Sequence, residues 1–403
     1  MATIAVLGTL DTKGQEHAYV AGLIRERGHE VLLIDTGTGA PPTVVPDISR
    51  EEVARRGGVD LADVLSRRDR GEAVTAMAGA SAQLLLELVE AGRIHGVISL
   101  GGGGGTAIST TAMRALHIGF PKVMVSTLAA GNVAPYVGTK DIVMMPSIVD
   151  VSGINRLSRL LLARAAGAIC GMVEVIPAAG EDKPLICASM FGNTTECVNA
   201  AKEIMEKAGY EVLVFAATGM GGRIMESLIE TGMIAGVLDI TTTEWADELV
   251  GGVLNAGPHR LEASGKMGVP AIVTPGCLDM VNFGERASVP ARYEGRLFYQ
   301  HNPQVTLMRT TVEECSELGR ILAEKVNAYT GPVTVLIPLK GISVISAAGG
   351  AFFDPVADLA LFSAIKAHLR PDVRIVELDC TINDPLFAKA CAENLLTLMN
   401  HQA

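Results

Sequence analysis

Two doubly wound α/β domains, each a parallel sheet covered by helices on both faces and the pair related by internal duplication, are what this sequence predicts. Three observations carry the prediction. Four blocks of the first half recur in the same order in the second half. Short, β-branched apolar runs alternate with stretches whose apolar residues fall at helical spacing, the pattern of strands buried on both faces. Glycine, threonine and serine crowd the places where those runs end. The domains are drawn at 1–178 and 179–403, with a linker-like stretch, "IPAAGEDKP", over 176–184.

The repeats align element by element. "IAVLGTLDTKGQEHAYVAGLIRERGHEVLLID" matches "ICASMFGNTTECVNAAKEIMEKAGYEVLVFA", setting Glu16 on Glu196 and Gly28 on Gly209. "AMAGASAQLLLELVEAGRIHGVISL" matches "AATGMGGRIMESLIETGMIAGVLDI", with Gly92 on Gly232. "GFPKVMV" follows as "GVPAIVT", and "IVMMPSIVDVSGINRLSRLLLARA" as "VTLMRTTVEECSELGRILAEKV". Each repeat reads strand and helix in alternation, with strands at 31–34, 96–100 and 122–125 in the first. Gly28 and Gly209 sit where a helix C-terminus needs a left-handed residue. Ile154, Leu157, Leu160, Leu161, Ala165, Ala168 and Ile169 form one helical stripe, expected to face the core. Beyond residue 331 come two more strands, "VTVLIP" and "VRIVELD", and a helix after Asp384-Pro385, read as N-cap and first-turn proline.

Composition removes several function classes. A chain of 403 residues that is 49% hydrophobic, 19% charged and carries net charge −11 lacks the basic face a general nucleic-acid binder needs. The longest uncharged run, 123–139, holds Asn132, Pro135 and two glycines, so no membrane span is expected. The start runs straight into a strand without a basic n-region, so no signal peptide is expected either. Seven scattered cysteines with no C-x-x-C pair read as buried free thiols in a reducing, cytoplasmic setting. No Ser-His-Asp order, H-E-x-x-H or Cys/His ligand spacing occurs, and no structural zinc is predicted.

In open α/β sheets ligands bind beyond the carboxyl ends of strands, so the chemistry is sought there. After the first strand comes "GTLDTKG", with the hydroxyls of Thr9 and Thr12, the charge of Lys13 and the carboxylate of Asp11. Asp11 suits a metal or a capping turn equally. After the second comes "DTGTG", beginning Asp35-Thr36; a carboxylate there can take a ribose hydroxyl or sit in a surface turn. After the third come Gly101, Gly102, Gly103, Gly104, Gly105 and Thr106. A run of five glycines costs folding entropy, each can take φ > 0, and no side chain blocks a ligand. Backbone N–H groups and small hydroxyls at helix N-termini are the parts that cradle phosphate. In the second repeat the first loop, "FGNTTE", has lost its lysine, so two different sites are expected. "FYQHNPQVTLMRTTVEE" gathers His301 and Arg309 around a buried strand, with a capping box at Thr311 and Glu314.

"LGTLDTKGQE", "SLGGGGGT", "MMPSIVDVSGIN", "PGCLDMVNFG", "HNPQVTLMRTT" and "INDPLFAKA" together resemble the ATP-binding domain family of the tomato mosaic virus resistance protein, over nearly the whole chain. The resemblance implies two Rossmann-like subdomains and ATP binding. On it, the nucleotide is assigned to the "GTLDTKG" and "GGGGGT" loops, with Mg2+ a candidate companion. Two classes of function stay open. One is a nucleotide-dependent enzyme acting on a small anionic metabolite between the domains, faced by His301, Arg309 and Asp279. The other is a non-catalytic module that senses ATP. A homodimer is the expected assembly.

Overall fold

Burial on both faces sets the layout of the first unit, Met1–Ala179, in the computed structural model, which describes residues 1–176, 180 and 182–400. The linker-like stretch over 176–184 lies partly outside the described residues. The chain runs β1 (Thr3–Gly8), α1 (Leu10–Glu26), β2 (Glu30–Asp35), α2 (Arg50–Arg56), α3 (Leu61–Ser66), α4 (Arg70–Glu90), β3 (Gly96–Gly101), α5 (Gly103–Ala115), β4 (Lys122–Ser126), α6 (Ala134–Val137), β5 (Val143–Pro146) and α7 (Arg156–Glu174). Its five strands are all parallel, in the order β2-β1-β3-β4-β5. Along β1, Ile4 and Val6 pack toward α1 and α7, while Ala5 and Leu7 pack toward α4 and α5. Fully burying a side chain such as Leu84 or Leu88 of α4 contributes roughly 1.5–3 kcal/mol, which is what holds the helices to the sheet.

Length and composition alone would let α4 cross a membrane. In the fold its apolar face, with Met77, Leu84, Leu85 and Leu88, covers the sheet instead.

Because α1 and α5 leave β1 and β3 toward opposite faces of the sheet, a crevice opens between the carboxyl ends of these two neighbouring strands. "GTLDTKG" and the glycine run both begin there.

The second unit, Gly180–Ala403, runs β6 (Leu185–Met190), α8 (Thr195–Lys207), β7 (Glu211–Ala216), α9 (Met220–Ile229), β8 (Ile234–Thr241), α10 (Glu244–Val250), α11 (Ala263–Met267), β9 (Ala271–Gly276), β10 (Met280–Phe283), β11 (Phe298–Asn302), β12 (Val305–Arg309), α12 (Val312–Asn327), β13 (Val333–Pro338), α13 (Pro355–His368), β14 (Arg374–Leu378) and α14 (Pro385–Asn400). Its main sheet, β14-β13-β9-β8-β6-β7, repeats the winding of β2-β1-β3-β4 in β7-β6-β8-β9 and continues with β13 and β14 where the first has β5. Strand-helix-strand units β1-α1-β2 and β6-α8-β7 occupy equivalent places. The aligned glycines Gly28 and Gly209, and Gly92 and Gly232, all have positive φ.

Two expectations need correction, and one helix is additional. The "VTLMR" strand, aligned with β5, lies outside the parallel sheet: it is β12, the middle of a separate antiparallel sheet β10-β12-β11. The stripe assigned to α7 is buried in part, at Ala165 and Ile169, and misplaced toward its start. Leu162, Ala165, Ala166, Ile169 and Cys170 are buried, whereas Ile154, Leu157 and Leu160 are exposed. Helix α13 was not foreseen, although Asp354, which accepts the N–H groups of Val356 and Ala357 at 3.1 Å, repeats the Asp-Pro start that marks α14. The cap at Asp384 is present, with Leu386 N–H donating to its carboxylate at 2.9 Å. All seven cysteines are buried free thiols.

Candidate functional site

The first loop is shaped by two close approaches that only glycine permits. A Cβ on Gly8 would lie 1.9 Å from His17 Nε2, and one on Gly14 would lie 2.2 Å from Thr43 Oγ1. His17 is fully buried, its Nδ1 2.7 Å from the carbonyl of Lys13, where the helix is kinked at φ −134°. Burial pushes the imidazole pKa below its ordinary value. The kink separates residues 10–12, a first turn with no side-chain cap from Thr9, from the rest of α1.

A cavity of about 690 Å³ opens at this crevice. Thr9, Asp11, Thr12 and Lys13 line it from α1, and Gly102, Gly103, Gly104 and Gly105 from the start of α5. The two loops chosen from sequence are therefore brought together. None of the five glycines uses its freedom to take positive φ; Gly102 is the N-cap and the next three form the first turn of α5. Only Gly101 is required for packing, since a Cβ there would press on Gly105 backbone at 3.1 Å. A Cβ on Gly103 meets nothing within 4 Å, and on Gly104 or Gly105 its nearest neighbours lie at 3.6 and 3.7 Å. The protein does not need these glycines for space; their missing side chains are the cavity. The N–H groups of this first turn have no partner inside the helix and no side-chain cap.

Other site predictions change. Asp35 is completely buried and caps the neighbouring turn, accepting from Leu10 N–H at 3.1 Å and Gly37 N–H at 2.8 Å. Burial raises its pKa above the ordinary carboxylate range, and it lies outside the cavity lining. Thr36 and Gly101 are buried outside the cavity lining. Thr106 is buried against β4, its Oγ1 2.7 Å from Ser126 Oγ. Asp11 is not an N-cap. Its Oδ2 accepts from Gly39 N–H at 2.8 Å, tying the second loop to the first, and its Oδ1 has no hydrogen-bond partner. Lys13 donates to the carbonyl of Val151 and stands 4.0 Å from Asp150.

Sequence reasoning missed Arg68, Arg70 and Asp150, which also line the cavity. Arg67 is held by Asp63 and Glu72. Arg68 and Arg70 have no ion-pair partner among the described residues. Arg68 has φ 54°, a conformation unusual for a non-glycine residue and common at ligand sites. The signal was the cluster "SRRDRGE" just before α4, with Asp69 as N-cap, accepting from Glu72 N–H at 3.0 Å. Val64, Leu65, Val74 and Ile108 make the rest of the wall apolar.

In the second unit the equivalent place is filled by the chain itself. Thr242, Thr243 and Glu244 replace the glycines and are fully buried. Glu244 accepts from Gly219 and Gly222 N–H groups at 2.8 and 3.1 Å, taking the helix N-terminus that a phosphate would use. Arg260, also buried, binds Glu244 at 2.6 Å, Asp239 at 2.5 Å and Glu226 at 3.0 Å.

The residues expected to face a second ligand do not form a site. Arg309 is buried, bonded to Asp358 at 2.5 Å and to the Phe352 carbonyl at 3.0 Å. Asp279 beside it is fully buried and accepts from Ser343 Oγ at 2.8 Å; burial raises its pKa against the pull of Arg309. His301 is exposed near the β11–β12 turn, whereas Arg309 pairs with Met280 at the far end of β12. The polarity of Arg309 and Asp279 serves the core of this unit, and His301 stands apart at the surface.

Comparison with known proteins finds relatives that span the whole chain. The chain is 52% identical to a UPF0261 protein of Clostridium tetani over 98% of both chains, and 50% identical to UPF0261 protein RA0729 of Rhizobium meliloti over 97% of both. It is 42% identical to the tomato (Solanum lycopersicum) ToMV resistance protein Tm-1(GCR237), over 82% of this chain and 45% of that longer one. Among solved structures it is similar to a Streptomyces glycosyltransferase complexed with thymidine diphosphate. That likeness, 14% identity and TM-score 0.20 over 68% of this chain and 82% of the other, is too distant to bear on function. The N-terminal domain profile of the uncharacterised protein family UPF0261 matches residues 2–178 and its C-terminal domain profile matches residues 183–399, so the chain belongs to this family.

Proposed function

We propose that the first unit binds a nucleoside triphosphate, ATP by the resemblance to the tomato family, in the crevice beyond β1 and β3. The observation that carries this reading is the glycine turn of α5, whose side chains are absent without structural need beside a cavity holding two unpaired arginines. Helix N-termini supply N–H donors and partial positive charge, and Arg68 and Arg70 supply full charges. The apolar wall of Val64, Leu65, Val74 and Ile108 suits a base, and about 690 Å³ is within the usual range of small-molecule sites. Asp11 lines the cavity and its Oδ1, buried as it stands, makes no hydrogen bond; turned toward the phosphates, that carboxylate would hold Mg2+.

The enzymatic reading rests on this arrangement of phosphate beside carboxylates. One observation favours the sensing alternative. Lys13 is held by the Val151 carbonyl, so a phosphate that draws Lys13 away would release the 147–153 segment and transmit binding as movement. Calorimetric titration with ATP and Mg2+ tests the binding, and phosphate release separates turnover from sensing. No heat of binding at micromolar protein refutes both. The exposed Leu157 and Leu160 on α7, with Ile154 just before it, support a homodimer; a monomeric mass by light scattering removes that part.

A further inference from the structure

A second cavity, of about 490 Å³, adjoins the first at the carboxyl ends of β4 and β5. The two share Gly102, Gly103 and Asp150 in their linings, so a terminal phosphate lying on the glycine turn would face both. Thr127, Ser147 and Ile148 form other parts of the second lining. Ile148 has φ 64°, which a β-branched residue adopts only under strain. The 147–149 turn is closed by Val149 N–H donating to the Ser147 carbonyl at 2.7 Å. Such strain gathers where a backbone is shaped for a ligand.

Asp150 is the one ionisable residue of that lining, and its side chain is 72% exposed. An anionic partner would meet that carboxylate, and the nearby cation, Lys13, is engaged by Asp150 at 4.0 Å and by the Val151 carbonyl, which disfavours the small anionic metabolite expected from sequence.

We propose that this second cavity binds an uncharged hydroxyl compound, small and polyol-like, as the phosphoryl acceptor, with Asp150 as the catalytic residue that takes its proton. The proposal rests on the nucleotide reading of the first cavity. The acceptor hydroxyl oxygen forms a bond to the terminal phosphorus, and the bond from that phosphorus to the bridging oxygen breaks. The bridging oxygen leaves with the electron pair on the nucleoside diphosphate, and the hydroxyl proton passes to the Asp150 carboxylate. The products are a phosphate monoester and the diphosphate. Gly102 and Gly103, common to both cavities, would hold the phosphoryl group in transit through their N–H donors.

The test uses the full chain, ATP with Mg2+, and glycerol as the hydroxyl probe. ATP affinity is read by calorimetry and ADP formation by chromatography, for the parent, Asp150→Asn and Ala130→Trp, the last narrowing the second cavity. Expected is ADP formation stimulated by glycerol in the parent. Asp150→Asn should lower kcat about 100-fold with ATP affinity within a few-fold of the parent. Ala130→Trp should lose the glycerol stimulation while binding ATP normally. Parental turnover in Asp150→Asn, or ADP formation indifferent to glycerol in a parent that binds ATP, overturns the proposal. A parent that fails to bind ATP sinks the nucleotide reading itself, and the two failures are told apart by the calorimetry.

Discussion

Gly103→Val separates a binding role of the glycine turn from a structural one. At Gly103 a Cβ meets nothing within 4 Å, so the side chain projects into the cavity and displaces no protein atom. Valine restricts the unfolded chain more than glycine does, which adds about 0.4–1 kcal/mol of stability where the native backbone is compatible. Gly103 already has negative φ, so that condition holds. For a unit of this size the melting temperature should stay or rise by ~1–4 °C. Binding should move the opposite way. A branched side chain over the first turn of α5 would deny a phosphate at least one charge-assisted N–H contact, worth about 1.5–3 kcal/mol or roughly 10- to 150-fold in affinity. Gly101→Val is the control, because a Cβ there lies 3.1 Å from Gly105 backbone and must push it aside. It should lower the melting temperature. Calorimetric titration with ATP and thermal melts of the three proteins decide the matter. Parental ATP affinity in Gly103→Val, or a melt depressed as far as that of Gly101→Val, refutes the reasoning.

Lys13→Ala should weaken ATP binding by about 1.5–3 kcal/mol; unchanged affinity would mean that Lys13 serves only the Val151 carbonyl. Gly8→Ala puts a methyl 1.9 Å from His17 Nε2 and should destabilise the first unit by ~1–3 kcal/mol or more, measured by denaturant melts; a parental midpoint contradicts it. Asp247 accepts hydrogen bonds from Leu254 and Asn282, and burial raises its pKa to about 7. Unfolded, it ionises near 4. Between these values the folded chain keeps a proton that the unfolded chain has lost, so its contribution falls as pH rises from about 4 to 7, by as much as ~4 kcal/mol. Asp247→Asn should flatten the dependence of stability on pH across that window, and an unchanged slope excludes Asp247 as its source.

Much of the fold could be read from local pattern. Apolar runs such as 96–100, the left-handed positions Gly28 and Gly209, and the repeat of both in order follow from backbone geometry and side-chain periodicity, which are properties of neighbouring residues. The adjacency of β1 and β3 follows from a topological rule, and it was enough to bring "GTLDTKG" to the glycine run. The α7 stripe is misplaced toward its start because leucines at 157, 160, 161 and 162 allow more than one helical face, and packing chose Leu162.

What the sequence by itself determined is therefore the duplicated α/β framework and the loops that end at its crevice. Only the tertiary structure decided which polar groups of those loops remain free. Asp35 and Asp11 carry the same carboxylate in adjacent loops. Each leaves one oxygen without a hydrogen bond, but Asp35 is fully buried on the N–H groups of Leu10 and Gly37, away from the cavity, whereas Asp11 lines it. Arg309 and Asp279 look like a site in the sequence and are spent on their own core. Arg68, Arg70 and Asp150 enter the cavity lining from segments far along the chain. The reason is that buried donors and acceptors must find partners. That competition is settled by atoms distant in sequence, so a side chain's fate is fixed only when the sheet and its helices have closed around it.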